Sequence, residues 1–545
     1  MPPSSHQHTI TPRRKESPRL LLWGLFPLFF LAIFLSHWTL LRLPYFWDEA
    51  GYYIPAAYDF FRTGTLIPHS TVSNAHPPLP SLLLSAWWEI FGFHVLATRT
   101  LVCLVSASAL LAVFRLVRSL LDIRAACATT LLTALYPIWF AQSTLAHADI
   151  FAAAFTLWAL TFYLQPTTSQ PDQSRRQIAT FILFSLAALA KETAIVTPAA
   201  LAAWEFFQLL RDRRRPVAER RAHLAWTAAL AAPITPLIGW YAYHRARTGF
   251  IFGNPEFLRY NATANFDAHR ILVCLWHRLI HLTLHMDMFV PTLCTLAILL
   301  VPVLPSRPRL AKPILSALAV ILLANTIAFS VLGGALLTRY LLPMYPLVLL
   351  LCVAEWQSRL RTSTWTWIAG LSAVAFLSAL WINPPYAFAP EDNLTYRDMV
   401  ILHQRAIQIL EQRYPQATVL TAWPATTELA RPELGYTTHP FQVAPISNFS
   451  FDQIEKAATE PGDYDTALLF STKWAPPPGK IDLGHANQPT DIKYFDFHLD
   501  LRPAAAATLL HGDVVWQASR KGEWVAILRF PRIVDAAVTP PRPIR

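Results

Sequence analysis

The strongest constraint on this chain is a series of long apolar runs separated by short clusters of arginine. An α-helix needs about 20 predominantly apolar residues to cross the hydrocarbon core of a bilayer. Of the 545 residues, 54% are hydrophobic and only 14% are charged, which is typical of a polytopic membrane protein. We therefore predict an α-helical protein that crosses the membrane many times.

The net charge of +11 reports membrane orientation and does not indicate a nucleic-acid partner. Its arginines sit in short loops between apolar runs, and such loops are retained on the cytoplasmic side of a membrane. Arg13, Arg14 and Lys15 precede the first apolar run, and no small-residue cleavage site follows it. We expect an uncleaved first span with residues 1–19 as a cytoplasmic tail.

If successive loops alternate between the two sides of the membrane and arginine-rich loops are cytoplasmic, the chain is predicted to have eleven transmembrane helices, with the carboxyl terminus outside. The predicted spans are 20–41, 98–118, 125–145, 149–164, 178–190, 194–209, 223–243, 284–304, 313–332, 341–354 and 365–382. Together they form a transmembrane domain over residues 20–382.

Two segments test this count. Residues 79–93, "LPSLLLSAWWEIFGF", are too short to span and contain two tryptophans, so we predict a helix in the outer interface. It belongs to an outer loop with interfacial helices over residues 42–97. The run 178–209 must instead be split at "AKET" (190–193), because a single helix would place the arginines of "RDRRRPVAERR" outside. The split places Lys191 inside the protein. Burying a charged lysine within the membrane costs free energy, and such residues are usually functional.

The composition becomes that of a soluble domain from about residue 383. We predict an extracytoplasmic α/β domain over 383–534 and a disordered Pro-rich tail over 535–545. Its predicted elements are helices at 397–413 and 451–458 and strands at 417–423, 466–471 and 523–530. The five cysteines show no disulfide framework and no zinc spacing, and neither a P-loop nor a GxGxxG motif is present.

Under this topology, polar groups from five parts of the chain meet at the outer membrane face. They are Asp48 and Glu49, His76, His147 and Asp149, Lys191, and the pair Arg339–Tyr340. A carboxylate can take a proton from an attacking hydroxyl, while cations stabilise the charge that develops on a phosphate leaving group. Such a site suits a lipid-linked phosphate donor.

The motifs that carry these residues resemble those of the GT-C membrane glycosyltransferases of family 39, which includes protein O-mannosyltransferases and aminoarabinose transferases. The resemblance covers about residues 20–382. The motifs, in chain order, are "WDEAGYY", "HPPLPSLLLSAWWEIFGFHVLATR" (76–99), "AHADIFAAAF" (146–155), "LAALAKETAIVTPAAL" (186–201) and "RYLLPMYPLVLLL" (339–351). The aminoarabinose branch usually has Glu-Lys before the Pro-Pro pair, and Ala75–His76 at this position is closer to the mannosyltransferase branch.

The resemblance implies an inverting transferase that uses a polyprenyl-phosphate sugar at the outer face, with a lipid, glycan or protein as acceptor. By this resemblance, Asp48 is expected to act as the general base, and Glu49 and Asp149 are expected to be supporting acids. By the same resemblance, Lys191, Arg339 and His76 are expected to contact the donor phosphate. Tyr52, Tyr340 and His147 are further candidates for substrate contact, and neither a metal nor a cofactor is predicted. The outer domain favours a bacterial member in the inner membrane, with this domain in the periplasm.

Each assignment has a simpler structural alternative. Asp48 and Glu49 could cap the helix that begins near Ala50, Lys191 could snorkel to the interface, and Arg339 could anchor a helix end. His277, His281 and His285 share one helix face, and water-facing imidazoles are favoured there over a metal site. The functional alternatives are a transporter or flippase of lipid-linked glycans, and a sensor or assembly protein that acts through its outer domain.

Overall fold

The structure is a computed structural model. It describes residues 18–71, 73–165, 170–211, 216–253, 266–332, 336–459, 463–477, 479–484, 488–495 and 498–530. The predicted cytoplasmic tail up to residue 17 and the predicted disordered tail 535–545 lie outside the described residues.

The described part of the chain between residues 18 and 382 is mainly helical. Its α-helices are α1 (Pro18–Ser36), α2 (Ile54–Thr63), α3 (Leu79–Phe91), α4 (Val95–Leu120), α5 (Ile123–Leu135), α6 (Pro137–Gln142), α7 (Ala148–Leu164), α8 (Gln170–Ala190), α9 (Val196–Arg211), α10 (Val217–Ala231), α11 (Ile234–Thr248), α12 (Ala268–Thr283), α13 (Phe289–Ile298), α14 (Lys312–Val331), α15 (Tyr345–Arg359) and α16 (Thr362–Ala379).

Several helices are suited to crossing a membrane. Within the described residues, the segments Val95–Leu120, Glu192–Arg211, Val217–Thr248, Lys312–Val331 and Thr338–Arg359 are long and apolar enough to span. Shorter apolar helices accompany them, among them α5, α7 and α13. The prediction of a multi-pass helical protein is confirmed, whereas the number of eleven spans stays a prediction.

Prolines break two of the predicted spans. The predicted span 125–145 is divided into α5 and α6 at Tyr136, just before Pro137, and the predicted span 223–243 is divided into α10 and α11 around Pro233. A proline cannot donate its backbone hydrogen bond and clashes with the preceding turn, so a helix ends or bends before it. In the predicted span 284–304 only α13 is α-helical.

The split of the run 178–209 has the predicted form. After α8, Lys191 is extended with φ −150° and ψ 124°, and a short 3-10 helix, Glu192–Ile195, leads into α9. The predicted interfacial helix is α3, which has 13 residues and ends at Gly92.

The carboxyl-terminal region is a small α/β domain. Its helices are α17 (Thr395–Arg413), α18 (Ala425–Ala430), α19 (Phe451–Thr459), α20 (Gln488–Phe495) and α21 (Pro503–Leu509), and its strands are β1 (Thr418–Ala422), β2 (Gln442–Ile446), β3 (Thr466–Phe470), β4 (Asp513–Arg520) and β5 (Glu523–Arg529). The strand order is β2-β1-β3-β5-β4. Strands β2, β1 and β3 are parallel to one another, β5 pairs antiparallel with β3, and β4 pairs antiparallel with β5.

The sequence predicts the three central strands and misses the two edge strands. β2 contains Pro445, and its residues are exposed or half-buried, so it lacks the apolar run of a buried strand. A proline is tolerated at a sheet edge because no neighbour needs its backbone N–H. The residues of β4 are likewise exposed or half-buried, which gives a similarly weak signal.

The α/β domain packs directly on the loop that follows α1. The Tyr436 hydroxyl donates to the carbonyl of Tyr45 at 3.0 Å. The ring of Trp423 meets that of Trp47 edge to face, with centroids 5.1 Å apart. This packing fixes the turn that carries Asp48 and Glu49.

Candidate functional site

Asp48 lies at a sharp turn. The preceding Trp47 has φ 46°, a left-handed conformation that a bulky side chain rarely adopts. The carbonyl of Trp47 accepts from the backbone N–H of Gly51 at 2.8 Å, and a single π-helical turn, Glu49–Tyr53, leads into α2. The turn directs Asp48 and Glu49 to different surroundings.

Arg339 is the centre of the polar cluster. It lies in a 3-10 helix, Thr338–Met344, and its side chain is 3% exposed. Its Nη2 donates to Asp48, its Nη1 lies 2.5 Å from Glu391 Oε2, and its Nε lies 3.3 Å from Asp149 Oδ2. One guanidinium thus meets three carboxylates from distant parts of the chain.

Lys191 joins the cluster through Asp149. The Lys191 Nζ lies 2.6 Å from Asp149 Oδ1, and it also lies 4.0 Å from the ring centre of Tyr340. Asp149 is in the first turn of α7, where the positive end of the helix dipole favours a carboxylate. Since Lys191 is buried and paired, the structure does not support simple snorkelling to the interface.

A cavity of about 500 Å³ opens beside these groups, and we name it the central cavity. Its polar wall includes Asp48, Tyr52, His76, Lys191, Arg278, Arg339 and Tyr340, and its apolar wall includes Leu237, Phe252, Phe329 and Leu332. Sites for small molecules have this volume and this combination of an apolar wall with a few converging polar groups.

His76 stands at the polar wall next to Glu192. Its Nδ1 lies 2.9 Å from Glu192 Oε2, and its ring stacks on Tyr53 with centroids 5.8 Å apart. The backbone carbonyl of Ala75 accepts from Trp240 Nε1 at 2.9 Å, which ties this loop to α11. The "AKET" motif therefore contributes two charged residues to the cavity, and only Lys191 was predicted.

Arg278 is a cavity residue that the sequence reasoning did not assign. It is 2% exposed, and its Nη1 donates to the carbonyl of Leu337 at 2.8 Å. Its Nε has no hydrogen-bond partner among the described residues, and none of the ion pairs found in that part of the chain involves it. A buried arginine without a carboxylate, facing a cavity, is suited to bind an anion.

Glu391 is the second group that the sequence reasoning missed. It lies in a short 3-10 helix, Pro390–Asp392, at the start of the α/β domain, and it is 3% exposed. The only available signal was an acidic pair in "FAPEDN", just beyond the last apolar run. Nothing local in that pattern indicates a partner 52 residues earlier in the chain.

Glu49 and His147 are placed beside the cluster without lining the central cavity. Glu49 is fully buried, where it accepts from Arg99 and from the backbone N–H of Ala146. His147 lies 3.4 Å from Arg339 Nη1. Burial, together with Arg339, Lys191 and Arg99, lowers the pKa of His147, so its imidazole is neutral.

The three histidines that share one helix face, His277, His281 and His285, pack within the structure. His281 and His285 are adjacent on the face of α12 and the turn after it, with ring centroids 5.5 Å apart. His285 is 3% exposed and lies 2.9 Å from Asp392, so it packs under the α/β domain and does not face water as expected. Among the described residues, no three His, Cys, Asp or Glu side chains converge to hold a metal.

Comparison with known proteins identifies the architecture. Residues 75–240 match the family model of the dolichyl-phosphate-mannose-protein mannosyltransferases. ArnT from Cupriavidus metallidurans bound to undecaprenyl phosphate superimposes with a TM-score of 0.53 at 15% identity, over 93% of this chain and 98% of that chain. Its apo state gives a TM-score of 0.55 at 14% identity over the same shares. The chain has the GT-C fold.

The resemblance predicted from the motifs to the GT-C glycosyltransferases of family 39 is confirmed by this fold and by the family match. Among curated proteins, none has a significant sequence match to the chain. The segments that carry His76, Asp149 and Lys191 lie inside the matched residues 75–240, whereas Asp48 and Arg339 lie outside them. The GT-C fold brings these two groups together with the other three.

Proposed function

We propose that this protein is a membrane glycosyltransferase that moves a sugar from a polyprenyl-phosphate donor to an acceptor hydroxyl with inversion. The observation that carries the proposal is the composition of the central cavity. Asp48 enters it with a side chain that is 27% exposed, and the cations Lys191, Arg278 and Arg339 line the same wall. The family match of residues 75–240 and the ArnT-like fold support the same class of donor.

In the proposed reaction, Asp48 accepts the proton of the acceptor hydroxyl while the hydroxyl oxygen attacks the anomeric carbon of the donor sugar. The new bond to the anomeric carbon forms on the face opposite the bond that breaks, and polyprenyl phosphate leaves. Lys191, Arg278 and Arg339 bind the phosphate and stabilise the negative charge that develops on it. His76 donates to a phosphate oxygen, and Asp149 holds Lys191 and Arg339 in position.

The apolar wall of the central cavity supports a lipid-linked donor. Leu237 of α11, Leu332 after α14 and Phe252 lie beside the polar groups, and Phe252 packs edge to face on Tyr241 with centroids 5.0 Å apart. A phosphate at the cations would place its polyprenyl chain along this wall.

The placement in the cell follows from the charge rule. We propose a bacterial inner-membrane protein with the amino terminus in the cytoplasm, a transmembrane domain over 20–382 and a periplasmic α/β domain over 383–534. The acceptor is a lipid, a glycan or a protein that reaches Asp48 from the periplasmic side.

The deciding experiment replaces Asp48 by Asn and compares the envelope glycans and lipids of a deletion strain that carries either version, by mass spectrometry. Loss of a general base lowers a rate by about 10²- to 10⁴-fold, so we expect the product to be nearly absent in the variant. Membrane insertion and thermal stability should match the parent. A parental amount of product would remove Asp48 as the base.

A further inference from the structure

The three carboxylates around Arg339 are not equivalent. Asp48 lines the central cavity, and Asp149 lines a small neighbouring pocket of about 20 Å³, whereas Glu391 lines neither. Glu391 belongs to the α/β domain and contacts Arg339 away from the central cavity. Its Oε2 lies 2.5 Å from Arg339 Nη1. The α/β domain therefore contributes one group to the cluster without facing the substrate.

The segment that carries Glu391 is fixed at several points. The neighbouring Asp392 accepts from the Thr338 hydroxyl and lies 2.9 Å from His285 Nε2. Asn393 donates to the carbonyl of Ala379 at 3.1 Å and to Asn383 Oδ1 at 2.9 Å. Since Thr338 directly precedes Arg339, the same segment holds both the backbone and the side chain of this part of the site.

This arrangement selects which edge of Arg339 faces the cavity. A guanidinium carries five N–H donors in a rigid plane, so a fixed partner for Nη1 also fixes the direction of the others. With Nη1 directed to Glu391, the Nε and Nη2 edges point to Asp149 and Asp48, next to the cavities that Arg339 lines. A donor phosphate would meet these two edges.

The charge on Glu391 bears on the same role. Burial raises the pKa of its carboxyl to about 8; repulsion from Asp48, Asp392 and Asp149 acts in the same direction, and Arg339 opposes it. Two histidines lie near this cluster: His147, which is neutral, and His285, which is bound to Asp392. At pH 7 a protonated Glu391 still accepts from Arg339, and it adds no negative charge next to a phosphate site.

We propose that Glu391 is a positioning residue of the transferase site, which orients Arg339 toward the donor phosphate and thereby makes donor binding depend on the α/β domain. The proposal rests on the proposed function for the identity of the donor. Its geometric basis is the pair Arg339–Glu391 and the anchored segment Pro390–Asp392.

The test measures binding of undecaprenyl phosphate to the purified full chain in nanodiscs at pH 7 and pH 9. Glu391→Ala should weaken binding about tenfold at pH 7, because Arg339 loses a charge-assisted partner and its fixed orientation. Glu391→Gln keeps a neutral acceptor and should bind within about threefold of the parent at pH 7. Glu411→Ala, in α17 of the same domain and bonded to Thr437, serves as the matched control and should bind normally.

The pH comparison separates positioning from a merely structural role. As the pH rises through about 8, Glu391 ionises in the parent, and lipid binding should weaken. The Glu391→Gln variant lacks this ionisation, and its affinity should change less between pH 7 and pH 9.

Three outcomes would overturn the proposal or its basis. Parental affinity in a folded Glu391→Ala variant would overturn it, as would the same loss of affinity at pH 9 in the parent and in Glu391→Gln. If Glu391→Ala fails to fold, the pH profile of Glu391→Gln decides alone. A parent that does not bind undecaprenyl phosphate would instead contradict the proposed function, and this proposal would fall with it.

Discussion

Two buried arginines, Arg99 and Arg339, bind carboxylates that are neighbours in the chain, and they do so in opposite ways. Arg339 forms ion pairs with Asp48, Asp149 and Glu391 at the wall of the central cavity. Arg99 forms an ion pair with Glu49 in the protein interior, where the two side chains are 2% and 0% exposed. Adjacent residues of one motif therefore belong to two different clusters.

The two ion pairs differ in how many hydrogen bonds their carboxylates accept from the protein itself. Arg99 donates to Glu49, to the carbonyl of Thr144 at 2.6 Å and to the carbonyl of Pro44 at 3.1 Å, and Glu49 also accepts from two backbone N–H groups. Asp48, by contrast, keeps a side chain that is 27% exposed to the cavity. A pair with its partners inside the protein stabilises the fold, whereas a carboxylate open to a cavity can act on a substrate.

The largest effect should follow from breaking the Arg99 pair. Arg99→Leu leaves Glu49 as an uncompensated buried charge, and we expect a loss of about 3–5 kcal/mol in the free energy of unfolding. Thermal unfolding of the purified protein, or its yield in membranes, measures this loss. Asp48→Asn is the matched control, because it should reduce activity and leave stability intact; equal stability of the two variants would contradict the comparison.

Arg278 should show the opposite behaviour to Arg99. It is also buried, yet it lies at the cavity and has no carboxylate partner among the described residues, so Arg278→Gln removes a charge that no ion pair there uses. We expect binding of undecaprenyl phosphate to weaken about tenfold or more, with little change in melting temperature. A variant that binds normally but unfolds early would place Arg278 with Arg99.

The turn that separates Asp48 from Glu49 depends on Gly51. A Cβ atom added there would lie 2.3 Å from Trp423 Nε1, so Gly51→Ala must displace the indole of the α/β domain. We expect a cost of about 1–3 kcal/mol and a several-fold loss of transfer, because the turn that positions Asp48 shifts. Gly370→Ala in α16, where nothing lies within 4 Å, is the control; equal effects would exclude this contact as the cause.

The smallest effect concerns another buried acid, Glu523 at the start of β5. Burial raises the pKa of Glu523 to about 8, while the Ser471 hydroxyl donates to it. Since its pKa is raised in the folded state, the stability that it contributes is present at low pH and is lost as the pH rises toward 8. Glu523→Gln should narrow the difference in melting temperature between pH 5 and pH 9 by a few degrees; an unchanged difference would contradict the assignment.

The sequence predicted several residues of the candidate site because charged residues beside or between long apolar runs carry a strong signal. Asp48, His76, Lys191 and Arg339 all line the central cavity, as their common membrane face suggested. Lys191 was found from the charge rule alone, since only a break at "AKET" keeps the following arginines inside. Glu391 and Arg278 were missed because their roles depend on partners that lie far away in the chain.

The α/β domain shows the same limit. The central strands β1, β3 and β5 have apolar runs that predict them, while the edge strands β2 and β4 are defined by their neighbours. An edge strand buries little side-chain surface, so its pattern resembles that of a loop.

By itself, the sequence determined the class of the protein and its apolar helices, because both follow from local hydrophobicity and charge. Only the tertiary structure decided that Asp48 faces a cavity while Glu49 is enclosed with Arg99. It also decided that a carboxylate of the α/β domain reaches Arg339. These outcomes depend on which groups are brought within a few ångströms across the fold, and no local pattern encodes that distance.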